Sequence, residues 1–301
     1  MAPPTTLNAA PLDIVEVNQK GVKHQSELAP YQSIVTPSSI STIPIINLHG
    51  LDDPLTKASI IKAIDKACTD WGLFLVVNHG IEESTIEEML ECVKAFFTLP
   101  LEEKMKYMAR DLTIPVDYIS QPNGTLREVL RHQGRPTSDE IILLWPSKPS
   151  NYKDAAKAFL EATWRLAMRL ARAISEGLGK DEGYVEGTME DGFQYILCNY
   201  YPPCPNPQQA LGMGPHTDQC HMVILTDNVD GLQLKHIGKW VTVPNVPGAL
   251  VVFLGTSMEK ASEGRYKAAE HQVMVNEKTA RISLAVGNGT EIKGLDARLH
   301  L

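Results

Sequence analysis

Apolar positions change their period near residue 190, and that change divides the chain into a helical part and a β-rich part. In the first part Ile60, Ile61, Ile64, Ala67 and Cys68 recur at helical spacing and predict an amphipathic helix. Ile86, Met89, Leu90, Val93 and Phe97 predict a second. Phe159, Leu160, Leu166, Leu170 and Ile174 predict a long third over residues 153–177. Two short apolar runs interrupt the helices. Ile43-Pro-Ile-Ile46 carries a proline, which cannot donate to a ladder, so it predicts an edge strand. Leu73–Val77 predicts a buried strand closed by the turn formers Asn78-His79-Gly80. Residues 113–137 hold Pro115, Pro122, Gly124 and Pro136 and predict a loop. Residues 1–40, rich in Pro, Ser and Thr, predict a poorly ordered lead-in with one short helix over 13–22.

Beyond Tyr195, short β-prone runs alternate with Gly, Pro and Asn turns, at 195–201, 222–225, 231–234, 239–243, 249–254, 272–275 and 281–286. Many short strands between turn signals predict a sandwich or barrel. The fold class expected is therefore α+β. A lead-in (1–40) precedes a mainly helical region (41–190) packed on a β core (191–290), and a short tail (291–301) follows. There is no internal repeat.

Composition narrows the function classes. Hydrophobic residues make up 43% and charged residues 21% of 301, enough for a packed core. The net charge of −8 argues against nucleic acid or an anionic membrane as a partner, because both recruit basic surfaces. The longest apolar runs fall far short of the roughly 20 residues that span a bilayer. The N-terminus lacks a charged segment followed by an apolar one, so no secretory signal is expected and the compartment expected is the cytoplasm. Five cysteines, an odd number without a CxxC pair, point to buried thiols rather than a disulfide framework or structural zinc.

Candidate chemistry concentrates in the β-rich part. Of nine histidines, one stands in a His-X-Asp triplet, His216-Thr217-Asp218. Residues two apart on a strand share a face, so both side chains can reach one metal. His271 is the candidate third ligand. Two His and one carboxylate on one face leave adjacent coordination positions open, the arrangement of non-haem Fe(II) oxygenases. Arg281 and Ser283 then share a strand face. A guanidinium grips a carboxylate in bidentate fashion and a hydroxyl adds a hydrogen bond. A cosubstrate with a carboxylate at one end and a chelating 2-oxo acid at the other would bridge Arg281 and the metal. A zinc hydrolase would use similar ligands but has no need of Arg281 and Ser283.

Together these motifs resemble the plant-type Fe(II)/2-oxoglutarate-dependent dioxygenases. Asn199-Tyr-Tyr-Pro-Pro-Cys-Pro205, Trp71-Gly-Leu-Phe74, Val77-Asn-His-Gly80 and Gly264-Arg-Tyr-Lys267 extend the resemblance over roughly residues 40–286. Within the family the chain looks closest to the flavonol synthase, anthocyanidin synthase and coumarin-forming hydroxylase group. The resemblance implies a double-stranded β-helix (jelly-roll) core with flanking N-terminal helices. It implies Fe(II), 2-oxoglutarate and O2, with ascorbate as a candidate reductant. It places Tyr201 on the cosubstrate carboxylate and Asn199 near the chelating end, and leaves Tyr200 and His79 as packing residues. The function implied is oxidation of a small plant specialised metabolite, such as an alkaloid, phenolic or terpenoid, by hydroxylation, desaturation, demethylation or ring closure. A small molecule is thus the expected partner, and the chain is expected to be a monomer. The alternative is a catalytically silent binding protein on the same fold.

Gln219, His221, Phe253 and Gly287 are the candidate pocket residues. Several positions depart from the family pattern. Leu254-Gly255-Thr256 stands where Ile-Gly-Asp is usual, and Gln272 replaces an arginine. Val223 replaces a threonine, and Gly287 replaces an aromatic that stacks on flat substrates. Losing that wall predicts a larger pocket and weaker planar stacking. Few residues follow Ser283. Family members continue further and cover the site, so here the N-terminal helices and the 113–137 loop are expected to do so, or water enters and turnover uncouples.

Overall fold

A computed structural model describes residues 42–109, 115–121, 125–190, 192–206 and 211–290. The expected lead-in with its short helix, and the expected tail, lie outside the described residues. The chain opens with β1 (Ile45–Asn47), α1 (Lys57–Asp70), β2 (Leu73–Val77), α2 (Glu83–Phe97) and the short α3 (Leu101–Lys104). Next come β3 (Val116–Ser120), β4 (Glu128–Arg135), α4 (Asp139–Leu144), the long α5 (Tyr152–Gly177) and α6 (Gly183–Met189). The β-rich part holds β5 (Phe193–Tyr201), β6 (Leu211–His216), β7 (Met222–Asp227), β8 (Leu232–His236), β9 (Lys239–Thr242) and β10 (Leu250–Leu254). It ends with α7 (Thr256–Ala261), β11 (His271–Met274) and β12 (Arg281–Gly289).

Local signals explain the boundaries. α1 buries Ile60, Ile64, Ala67 and Cys68, the positions one helical turn apart. α5 stops where Lys180 N–H donates back to Ser175 O, a closure that needs the left-handed φ of +71° at Gly179. β2 stops at Asn78 and Gly80, both with positive φ.

The strands form two sheets, ordered β1-β2-β10-β7-β12-β5-β4-β3 and β6-β11-β8-β9. Alternation along each strand of the larger sheet decides what its side chains meet. Leu73, Leu75, Val223, Leu225, Val251 and Phe253 join Leu232, Leu234 and Val273 of the smaller sheet in one apolar cluster. Their neighbours Phe74, Val76, Met222, Ile224, Leu250 and Val252 pack with α1 and α5. Ile196, Cys198, Ile282, Leu284 and Val286 pack with α2 and α5. The middle of the larger sheet is therefore buried on both faces, which is why β2 and β10 read as unbroken apolar runs. Helices cover one face, and the other closes against the smaller sheet as a double-stranded β-helix.

Two segments differ from expectation. Residues 113–137, expected as a loop, contain β3 and β4, paired antiparallel, and β4 joins β5 from Glu128 opposite Tyr200. Pro115 and Pro136 stand just outside these strands and bound them rather than break them. β6 was hidden by Gly212, Gly214 and Pro215. A Cβ at Gly212 would lie 2.6 Å from the Tyr201 ring, so that glycine admits a side chain of the site. Among the described residues, no helix is long and apolar enough to cross a membrane.

Candidate metal centre

β6 ends on His216 and β11 begins on His271, and the two are direct partners across the antiparallel ladder. Their rings stand 4.1 Å apart at 55°. Asp218, in the turn after β6, comes back to both. Its Oδ1 lies 3.6 Å from His216 Nε2 and its Oδ2 lies 4.0 Å from His271 Nε2. One ligand atom from each residue lies within 4.8 Å of the other two. Each imidazole Nδ1 donates to a backbone carbonyl at 2.8 Å, His216 to Gly214 and His271 to Ala269. A carbonyl can only accept, so Nδ1 carries the proton and Nε2 keeps its lone pair.

Burial pushes the His271 pKa down to about 4, and burial followed by repulsion from His271 lowers that of His216. Burial also raises Asp218 to about 6. All three groups resist carrying charge without a cation. A divalent cation reverses this, because neutral imidazoles are the ligating form and the carboxylate gains a counter-charge. Two nitrogens and one oxygen with open positions fit Fe(II).

The turn bearing Asp218 is shaped from below. A Cβ on Gly255 would meet Asp218 O at 2.7 Å, and Thr256 N–H donates to that same oxygen at 2.8 Å. The unusual Leu254-Gly255-Thr256 thus supports the backbone of this turn.

Arg281 and Ser283 lie on β12 opposite Tyr201 and Asn199 of β5. Arg281 is fully buried; its Nη2 donates to Asp227 Oδ2 at 2.6 Å and its Nη1 to Ser283 Oγ at 3.3 Å. Its Nε has no hydrogen-bond partner among the described residues. The guanidinium sits 5.3 Å from the Tyr201 ring centre. Asn199 Nδ2 donates to Ser283 Oγ at 3.2 Å. This donor capacity fits the carboxylate of a 2-oxo diacid.

One cavity joins the two ends. His216, Asp218, His271, Asn199, Tyr201, Arg281 and Ser283 line it, with Leu197, Val223, Phe253, Ala285 and Gly287 among its apolar walls. Gly287 and Val223, two departures from the family pattern, are partners across β12 and β7. Phe253 packs on the His271 ring at 4.6 Å. Tyr200 instead stacks on Phe97, and His79 is buried outside the cavity wall, its Nδ1 accepting from Ile81 N–H.

Two expected pocket residues need correction. Gln219 is exposed, and His221 is buried outside the cavity wall with Nε2 3.2 Å from Thr188 Oγ1. Both were candidates because they directly follow the metal motif, but the chain turns between β6 and β7 and carries them away from the cavity. Conversely, Arg127 lines the cavity and Asp227 holds Arg281, and neither was anticipated. Arg127 stood in the presumed loop. Asp227 left one signal, a lone acid closing an apolar strand.

Comparison with known proteins follows the same lines. Residues 192–288 match the 2OG-Fe(II) oxygenase superfamily, and residues 43–149 match the N-terminal region described for the non-haem dioxygenase in morphine synthesis. The chain is 37% identical over 256 residues to flavone synthase of Petroselinum crispum, covering 81% of this chain and 69% of that one. It is 38% identical over 252 residues to naringenin,2-oxoglutarate 3-dioxygenase of Petunia hybrida, covering 81% and 68%. Among solved structures it is similar to JOX2 in complex with 2OG, Fe and JA, with TM-score 0.75 and 31% identity over 83% of this chain and 75% of that one. It is also similar to the 2-oxoglutarate complex of DAO1 from Arabidopsis thaliana, a dioxygenase for auxin oxidation, with TM-score 0.73 and 26% identity over 84% and 94%.

Proposed function

The chain belongs to the 2OG-Fe(II) oxygenase superfamily and is a 2-oxoglutarate- and Fe(II)-dependent dioxygenase, and on that premise we propose that it oxidises a small, largely apolar plant metabolite beside His216, Asp218 and His271. One observation carries this proposal: a single cavity holds the three ligands, the Arg281–Ser283 pair with Asn199, Tyr201 and Arg127, and an apolar wall that includes Leu197, Val223, Phe253 and Ala285. His216 Nε2, Asp218 and His271 Nε2 would hold the iron. Arg281 and Ser283 would hold the distal carboxylate of 2-oxoglutarate, with Tyr201 beside it and Asn199 toward the chelating end. Bound there, iron and cosubstrate supply the oxidising power, as 2-oxoglutarate and O2 become succinate and CO2 while a substrate C–H bond is oxidised.

The protein's share is orientation and exclusion of water. The backbone carbonyls of Gly214 and Ala269 keep both ligand imidazoles in the Nδ1–H tautomer. Val223, Leu197, Phe253 and Ala285 would hold an apolar substrate by burial. Gly287 removes bulk from that wall, so the pocket suits a substrate broader than a single flat ring system. Relatives named for flavanones and flavones make naringenin the first compound to test. We further propose that the protein is a cytoplasmic monomer and that ascorbate serves as its reductant in assays.

The experiment measures succinate formed with Fe(II), 2-oxoglutarate, O2 and a panel of flavanones, terpenoids and alkaloids. At least one apolar compound should raise succinate formation tenfold and appear oxidised in equal amount. Succinate formation that no panel member alters would count against the proposed substrate class.

A further inference from the structure

Four arginine or lysine side chains are buried among the described residues: Lys104, Arg127, Arg131 and Arg281. Three face a carboxylate, Lys104 on Glu128 at 2.6 Å, Arg131 on Asp117 at 3.6 Å and Arg281 on Asp227 at 2.6 Å. Arg127, 7% exposed, makes no salt bridge with a carboxylate among the described residues, unlike the other three. Its contacts are neutral. Nε and Nη2 donate to Asn199 Oδ1 at 3.0 and 2.6 Å, Nη1 reaches the Met213 sulfur at 3.0 Å, and the Tyr201 ring centre is 6.0 Å away. A buried charge without a counter-charge is costly, and it persists where a ligand supplies the opposite sign. Arg127 lines the cavity of the three candidate metal ligands.

We infer that Arg127 is a second cosubstrate-binding residue, holding the carboxylate at the metal-chelating end of 2-oxoglutarate. This rests on the dioxygenase function proposed above. Asn199 separates the two ends of the cavity. Its Oδ1 accepts from Arg127, while its Nδ2 donates to Ser283 Oγ at 3.2 Å, beside Arg281. Arg281 and Ser283 address the distal carboxylate, so the guanidinium on the other side of Asn199 is left to the chelating one.

Charge balance selects the cosubstrate over an acidic substrate. Asp227 cancels Arg281, and Asp218 cancels one of the two positive charges of Fe(II). The charge that remains, together with Arg127, matches the double negative charge of 2-oxoglutarate. A further anion from the substrate would leave the buried site in excess.

The test is an anaerobic titration of the Fe(II)-loaded protein with 2-oxoglutarate, followed by the visible absorption of the chelate, for wild type, Arg127→Gln and Arg127→Lys. Thermal unfolding checks that each variant is folded. Arg127→Gln should weaken 2-oxoglutarate at least tenfold and shift the absorption maximum, and Arg127→Lys should recover part of the loss. Affinity within twofold of wild type at an unchanged maximum would overturn the inference and turn Arg127 toward the substrate. Should Arg127→Gln not fold, Arg127→Lys decides: it keeps the charge but not the fork, so weaker binding is expected and wild-type affinity overturns the inference. No band in the wild type would instead overturn the parent function.

Discussion

Replacing Asp227 with Asn probes the link between a buried ion pair and the cosubstrate. Asp227 accepts on both oxygens, from Arg281 at 2.6 Å and from Asn245 Nδ2 at 2.7 Å. An amide has one acceptor oxygen, so one of these contacts would become donor against donor. Arg281, with 0% of its surface exposed, would also lose its counter-charge. Removing one partner of a buried pair costs about 3–5 kcal/mol. One hydrogen bond survives here, which places the loss near the lower end. For a chain of this size that loss lowers Tm by roughly 6–12 °C. A 2-oxoglutarate carboxylate beside Arg281 would return the missing charge. Asp227→Asn should therefore gain more Tm than wild type when Fe(II) and 2-oxoglutarate are added together under anaerobic conditions, because ligand that binds only the folded state stabilises it by linkage. Differential scanning calorimetry of both proteins, with and without the two ligands, reads the difference. An equal ligand-induced rise in the two proteins would refute the placement of the distal carboxylate on Arg281.

Gly255→Ala would press a Cβ to 2.7 Å from Asp218 O, and shifting that turn should weaken Fe(II) binding by about 10–100-fold, as disturbed outer groups do at metal sites; equilibrium dialysis measures it. Gly287→Phe should narrow the cavity and abolish substrate-dependent succinate formation while leaving the 2-oxoglutarate absorption band intact, a split that steady-state and titration data resolve together. His132 is fully buried against the Tyr152 hydroxyl, and burial pushes its pKa down to about 4. Between that value and the unfolded value near 6.5, only the unfolded chain binds the proton, so stability falls as pH drops through this window. Urea unfolding should show about 2 kcal/mol less stability at pH 5 than at pH 7 from this group, and His132→Gln should remove that share; the same pH slope in both proteins would contradict a neutral His132.

The readable parts of the fold share one cause. β2, β7, β10 and β12 are buried on both faces, so β2 and β10 are apolar throughout, β7 over Met222–Leu225 and β12 over Leu284–Val286, and these runs stand out from their turns. β3, β4 and β6 did not stand out, because prolines and glycines that bound or thin a strand look like loop signals. The candidate ligands were legible because His216 and Asp218 sit two residues apart at a strand end, a local pattern. Arg127 was not, since its role depends on Asn199, 72 positions away, and on a pairing of β4 with β5 that no spacing announces. His221 misled for the opposite reason: closeness in sequence to His216 and Asp218 does not carry through the turn between β6 and β7.

Fe(II) binding measured anaerobically by equilibrium dialysis, for wild type and for His216→Ala, bears most directly on the centre formed by His216, Asp218 and His271. The wild type should bind one iron per chain. His216→Ala, a change at a half-buried position, should keep its Tm and bind iron at least a hundredfold more weakly. Equal stoichiometry and affinity in the folded variant would place the metal elsewhere and contradict the assignment.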